Sequence, residues 1–372
     1  MRDKSISMTK GMAILLMVLV HARFSHYGDT FVNMFHMPLF FFLSGFCFKE
    51  SYLDNIRIYV WKRIKGAYWP FVKWGLFFLL LHNLFYSLNF YNGEYGFRGG
   101  VSTIYTKSDF IQHAIAIVSS MSGSEQLLGG YWFLHSYFVA AIFTFVIIWL
   151  FRKQWLILLG GAFLLMVSVI FCKYSISLSR FVTATDLLAT FFMLIGYIYK
   201  NSNVRFEEKP MLMVPIGVII VAIGAAFWPC AMQRLTWIRI VPYALSALAG
   251  TMLVFSLCKW ISKIKAENLS KVLIYVGDRT LDILTWHFLC FKVCSLIIIA
   301  LYALPIARLA EFPVIEEYAY RGWWLAYFII GTSLSLAIAF LFKCTIYKLL
   351  KRLYERNEKE ENNTCKCGNH KW

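Results

Sequence analysis

Charge is scarce in this chain. Asp, Glu, Lys and Arg make up 15% of the 372 residues and only 20 residues are acidic, against about a quarter charged in an ordinary soluble domain. That shortage excludes a soluble globular enzyme, and the 59% apolar content excludes a disordered chain or a collagen-like fibre. No repeat of 20–50 residues is visible, which argues against a solenoid. No ten-residue stretches of alternating polarity occur, so a transmembrane barrel is excluded as well. The first apolar run, Ile6 to His26, is followed by no small-x-small cleavage pattern, and it is expected to stay as a first helix. The nine cysteines form no paired metal-binding spacing. Cys365-Lys366-Cys367-Gly368-Asn369-His370 is one half-site without a second, so no metal is expected.

What remains is long hydrophobic runs. Mean hydropathy is +0.61, and 34 Phe, 21 Tyr and 13 Trp supply interfacial anchors. Ten segments are long enough to cross about 30 Å of hydrocarbon, at 6–24, 32–48, 69–91, 131–151, 154–172, 182–199, 211–229, 238–258, 281–303 and 323–347. A weaker segment, 109–121, is expected to be interfacial or re-entrant. Backbone groups must be satisfied inside a bilayer, so the expected fold is an all-α membrane protein of about ten transmembrane helices. Residues 1–348 form the membrane domain and 349–372 a polar cytoplasmic tail. With the N-terminus inside, 25 of the 37 Lys and Arg fall in cytoplasmic segments, nine outside and three within spans. That asymmetry predicts both termini in the cytoplasm, and it accounts for the net charge of +17 without nucleic acid.

Ionisable groups inside spans cost about 2.5–3.5 kcal/mol each on insertion scales, which marks them for function. Lys10 and His21 share the first span. They lie eleven positions apart, about 16 Å along a helix and nearly on one face. A lysine reaching to the inner interface and a histidine at the outer one also fit that spacing. His36, at the start of His36-Met37-Pro38-Leu39-Phe40-Phe41-Phe42-Leu43-Ser44-Gly45-Phe46, is placed at the outer mouth beside His21. Lys62-Arg63-Ile64-Lys65 puts three cations at the cytoplasmic entrance of the third span, which suits either the positive-inside rule or a phosphate site. Trp132 opens the fourth span on the outside, where it also fits an aromatic belt. Asp282, His287 and Lys292 crowd the ninth span and require a polar interior or partners on other helices. Asp282 and His287 are about 140° apart around a helix, which argues against a direct pair.

These motifs, in this order, resemble the integral-membrane acyltransferase-3 family, and within it the fucose 4-O-acetyltransferase-like branch. The resemblance runs from Lys10 to about the tenth span. It implies a membrane O-acetyltransferase of the bacterial cytoplasmic membrane, taking an acyl group from cytoplasmic acetyl-CoA. The acceptor it implies is a hydroxyl of a surface polysaccharide or lipid-linked sugar. The family's catalytic histidine corresponds to His21. Its upstream basic partner, usually Arg, is Lys10 here. Its Arg-x-Arg entrance motif is Arg63-Ile64-Lys65, so Arg63, Lys65 and Lys62 are expected to hold the cofactor. His36, Trp132, His287 and Asp282 are expected to meet the acceptor. The competing class is a transporter or flippase of lipid-linked oligosaccharide, which would usually show internal symmetry or paired broken helices. Neither is visible. A polysaccharide polymerase would carry an Arg-rich outer loop, whereas 91–130 has only Arg98 and Lys107.

Overall fold

A computed structural model describes residues 4–96, 103–123, 125–178, 182–264 and 266–367, with side chains up to 345. The Cys365–His370 motif therefore lies outside the described side chains. Among the described residues there is helix and no β-strand, only two isolated bridges. The helices are α1 (Lys4–His21), α2 (His26–Asn33), α3 (His36–Phe46), α4 (Ile56–Arg63), α5 (Trp69–Leu80), α6 (His82–Ser87), α7 (Lys107–Ser120) and α8 (Trp132–Phe151). They continue as α9 (Gln154–Lys173), α10 (Ala184–Asn201), α11 (Pro210–Phe227), α12 (Ile240–Lys263), α13 (Glu267–Gly277), α14 (Thr280–Leu301), α15 (Glu316–Tyr318) and α16 (Trp324–Cys367).

Among the described residues, seven helical segments are long and apolar enough to cross a membrane: Lys4–His21, Gln126–Phe151, Gln154–Lys173, Pro210–Phe227, Trp237–Lys263, Thr280–Leu301 and Glu316–Thr345. Three of the ten expected spans fall short of that test, each for a local reason. The second breaks at Met34 and Phe35, where Phe35 leaves helical geometry (φ −145°, ψ −21°), so α3 has only 11 residues. Pro38 sits in its first turn, where a missing N–H costs no helical bond. The third breaks at Leu81 into α5 and α6. The sixth keeps 18 residues as α10 but opens on buried Asp186. Thr183 donates to that carboxylate from its backbone N–H (2.8 Å) and hydroxyl (2.7 Å), closing a capping box. Segment 109–121 is α7, packed on α5.

Helix α1 is central, touching α2, α3, α12, α13, α14 and α16. Its mate at the inner end is α13, and the two backbones nearly touch. A Cβ on Gly277 would lie 1.8 Å from the Ser7 carbonyl oxygen, and one on Gly11 2.1 Å from that of Leu273. Only glycine permits that approach, because the obstacle is backbone on both sides. Ser7 then donates to Asp278 at 3.1 Å. So Gly277 and Asp278 form a joint between α1 and the turn into α14. It sets how α14 crosses the helix that carries His21.

Lys292 on α14 and Asp29 on α2 are buried ionisable groups that border neither of the cavities described below. Lys292, 1% exposed, donates to the carbonyls of Leu309 and Glu311, both at 2.7 Å, and so pins the loop after α14. Asp29, on the short α2 outside the spans, is buried 4.0 Å from Arg23. Burial raises its carboxyl from the ordinary value to about 7, with Arg23 pulling the other way. A raised folded-state value means the folded protein holds the proton that the unfolded chain releases. That contribution to stability is present below the unfolded value and fades as pH rises through about 7. In detergent, wild-type melting temperature is expected to decline more steeply between pH 4.5 and 7.5 than that of Asp29→Asn. Parallel slopes would assign the titration elsewhere.

Candidate active site

The site begins with two cavities that share a wall. The inner one, about 400 Å³, is bordered by Lys10 on α1, by Ser44 on α3, by Arg63 at the end of α4 and by Tyr137 on α8. The outer one, about 50 Å³, is bordered by His21 at the end of α1, His36, Trp132, Asn33 and Gln233. Met17, Met37 and Leu284 border both. The ten residues between Lys10 and His21 thus run from one cavity to the other along a single helix.

His21 does not stand alone. Its Nδ1 lies 3.0 Å from Nε2 of His287 on α14, and the two rings stack at 10° with centroids 5.2 Å apart. His287 is fully buried, and its own Nδ1 lies 2.9 Å from the Ile283 carbonyl. A carbonyl can only accept, so Nδ1 of His287 carries the proton. In the neutral ring Nε2 then has the lone pair, and it accepts from His21 Nδ1–H. The proton of neutral His21 is thereby placed on Nδ1, and its Nε2 is left as a free base. One ring orients the other, and the backbone orients both. Phe288 packs against His21 with centroids 4.8 Å apart and keeps the pair in an apolar setting.

His36 is anchored in the same manner. Its Nδ1 lies 2.9 Å from the Val32 carbonyl, so in the neutral ring Nε2 is the remaining acceptor in the outer chamber. Trp132 enters that chamber from the first residue of α8, just after the 3₁₀ segment Gln126–Tyr131. The side-chain amides of Asn33 and Gln233 border it too, and no charged side chain does. Neither residue stood out in the sequence, since a single amide at a helix end (Asn33) or in a loop (Gln233) carries no periodic signal.

The three entrance cations part company. Arg63 reaches the inner cavity, with its guanidinium over the rings of Tyr59 (4.7 Å) and Tyr137 (5.4 Å) and a hydrogen bond to the Tyr137 hydroxyl. Its Nε is buried without a partner among the described residues. Lys62 bonds the Tyr52 hydroxyl at 3.2 Å, and Lys65 lies 5.1 Å over the Trp61 ring; both are exposed and border neither cavity. Directly after Arg63 the chain makes a π-helical turn, Ile64–Tyr68, which contains Lys65. Lys10 makes no hydrogen bond or ion pair among the described residues and is free to meet a charged ligand. Asp282 faces elsewhere. It takes a 2.7 Å ion pair from Lys343 on α16 and borders neither cavity, so it ties α14 to α16. The aromatic cage of Arg63 escaped sequence reading, because Tyr59 and Tyr137 sit 78 residues apart on two different helices, α4 and α8.

A further buried pair supports the outer side. His82 Nδ1 lies 2.9 Å from Glu125 Oε2 and its Nε2 3.0 Å from the Thr103 carbonyl, under the stacked ring of Tyr105. Glu125 immediately precedes the 3₁₀ segment that delivers Trp132, so this pair fixes that segment's root.

A histidine with an oriented base nitrogen at the wall of an outer chamber, next to an inner cavity bordered by Lys10 and Arg63, is an arrangement suited to group transfer. The model of the acyltransferase-3 family, described as an acyltransferase domain, matches residues 3–344. The chain belongs to that family, and it is a multi-pass membrane acyltransferase. Neither a curated protein nor a solved structure gives a significant match.

If Arg63 holds a phosphate or pantetheine oxygen, Arg63→Ala is expected to raise the KM for acetyl-CoA about tenfold with little change in kcat. Contacts remote from the reacting bond are shared by ground and transition states. Lys65→Ala, whose ammonium points out, is expected to change KM less than threefold. Equal effects of the two would place the grip on diffuse charge instead.

Proposed function

We propose that this protein is an O-acetyltransferase of the bacterial cytoplasmic membrane. It moves an acetyl group from cytoplasmic acetyl-CoA to a hydroxyl of a surface polysaccharide or lipid-linked sugar. The observation that carries this is the His21–His287 pair, in which His21 borders the outer cavity one turn from Met17, a residue that borders both cavities. The 25-to-9 distribution of basic residues supports an orientation with both termini inside, in which the inner cavity would face the side where CoA is made. Lys10 and Arg63 supply positive charge for the CoA phosphates. The pantetheine arm would run outward beside α1. The acceptor hydroxyl would enter past Trp132, with His36, Asn33 and Gln233 offering hydrogen bonds to a neutral sugar and Trp132 an apolar platform.

In the reaction the acceptor oxygen attacks the thioester carbonyl and its proton passes to His21 Nε2. The new C–O bond forms, the C–S bond breaks, and the CoA thiolate takes a proton back from His21. His287 keeps His21 in the productive tautomer throughout. Purified protein in nanodiscs, given acetyl-CoA, is expected to release free thiol, faster when a carbohydrate acceptor is present. Intact acetyl-CoA after prolonged incubation with folded protein would remove the acetyl-CoA-dependent reading.

A further inference from the structure

Three residues stand between the two cavities and line both of them. Met17 lies one turn inward from His21 on α1, and Leu284 one turn inward from His287 on α14. Met37, from the first turn of α3, is the third. All three are buried, at 2%, 6% and 8% exposure respectively for Met17, Leu284 and Met37. The same pair of helices that brings the histidines together therefore also carries two of the three side chains that stand between the cavities.

Space beyond these side chains is small. The outer chamber, at about 50 Å³, holds only a few waters at ~10–15 Å³ of cavity volume each. Leu284 also has a defined backstop. A Cβ on Gly130 would lie 2.7 Å from Leu284 Cδ1, so Leu284 keeps its place only because residue 130 has no side chain. Gly130 leads directly into Tyr131 and Trp132.

We propose that Met17, Met37 and Leu284 form an acyl gauge that admits a two-carbon acyl group to His21 and rejects longer chains. This rests on the acyl-transfer reading above. For the thioester carbon to lie beside His21, its sulfur and pantetheine arm must trail back through the ring of three residues. The acyl chain must then share the ring and the small chamber with the incoming hydroxyl. An acetyl methyl needs little room. Each further methylene has to displace a packed side chain, and one methylene in such a pocket is worth about 10–200-fold in kcat/KM.

The test uses full-length protein in nanodiscs and compares thiol release from acetyl-, propionyl- and butyryl-CoA. Wild type is expected to favour acetyl over butyryl at least tenfold. Leu284→Ala, which widens the ring, is expected to raise the butyryl-to-acetyl ratio at least tenfold. Gly130→Ala, which pushes Leu284 into the passage, is expected to lower the propionyl-to-acetyl ratio. Leu284→Met, nearly equal in volume, is expected to keep the wild-type ratio. Should Leu284→Ala fail to fold, Met37→Ala opens the same ring from α3 and is expected to shift the ratio in the same direction. A folded, active widening variant with an unchanged ratio, or a wild type that uses butyryl-CoA as readily as acetyl-CoA, overturns the gauge while leaving the transferase reading intact. No release from any acyl-CoA by folded wild type overturns that reading, and the gauge with it.

Discussion

His21→Ala is expected to yield a protein that inserts, purifies and melts much like wild type, yet releases CoA from acetyl-CoA at least 10²-fold more slowly. A positioned general base contributes about 10²–10⁴-fold, and the free Nε2 is the only atom of His21 that the pair with His287 leaves uncommitted. Stability should suffer little. His21 sits in the last turn of α1 and is only partly buried. Its one hydrogen bond is to His287, and interhelical bonds of that kind in membranes average about 0.6 kcal/mol. Retention of more than a few per cent of wild-type turnover would remove His21 from the base role.

The second large effect is expected at His287. It touches no other ionisable side chain and borders neither cavity, so its influence on turnover must pass through His21. His287→Leu removes the acceptor for His21 Nδ1–H and frees both tautomers and the ring's rotation. Misplacement of a reacting group by about 1 Å can cost 10²-fold, and a fall in kcat of that order is expected with the KM for acetyl-CoA nearly unchanged. His287→Gln keeps an oxygen able to accept from His21 and is expected to recover part of the loss. A role confined to packing gives the opposite pattern, a lower melting temperature with kcat intact and no difference between Leu and Gln. Asp282→Asn, which weakens only the tie to Lys343, is expected to leave kcat within a few-fold of wild type.

The features that the sequence made legible are those that depend on one segment at a time. Long apolar runs announced the helices, and Lys10 and His21 announced themselves as costly residues on one face of one span. Where two segments must meet, the sequence was silent. His21 and His287 are 266 residues apart, and their contact depends on α1 crossing α14 at the angle that the Gly11–Gly277 joint allows. For Asp282 and His287, a 140° difference in direction said that they face different neighbours, but not which one faces the histidine. Lys62, Arg63 and Lys65 read as one cluster because charge alone has no direction. Residues two apart on a helix point about 200° away from each other, so Arg63 and Lys65 could not both enter one cavity from a regular helix. The short α3 and the broken α5–α6 pair were read as full spans because hydropathy sums over a window and does not see the breaks at Phe35 and Leu81.

The central claim is that an acyl group leaves CoA and arrives on a carbohydrate by way of His21. Membrane vesicles carrying the protein, opened to acetyl-CoA labelled in the acetyl group, measure this directly. The account predicts label in the glycan or lipid-linked sugar fraction, released by mild alkali as acetate, and absent from vesicles carrying His21→Ala at equal abundance. Label that enters that fraction equally well with His21→Ala, or CoA that stays acylated while the folded protein is present, would contradict it.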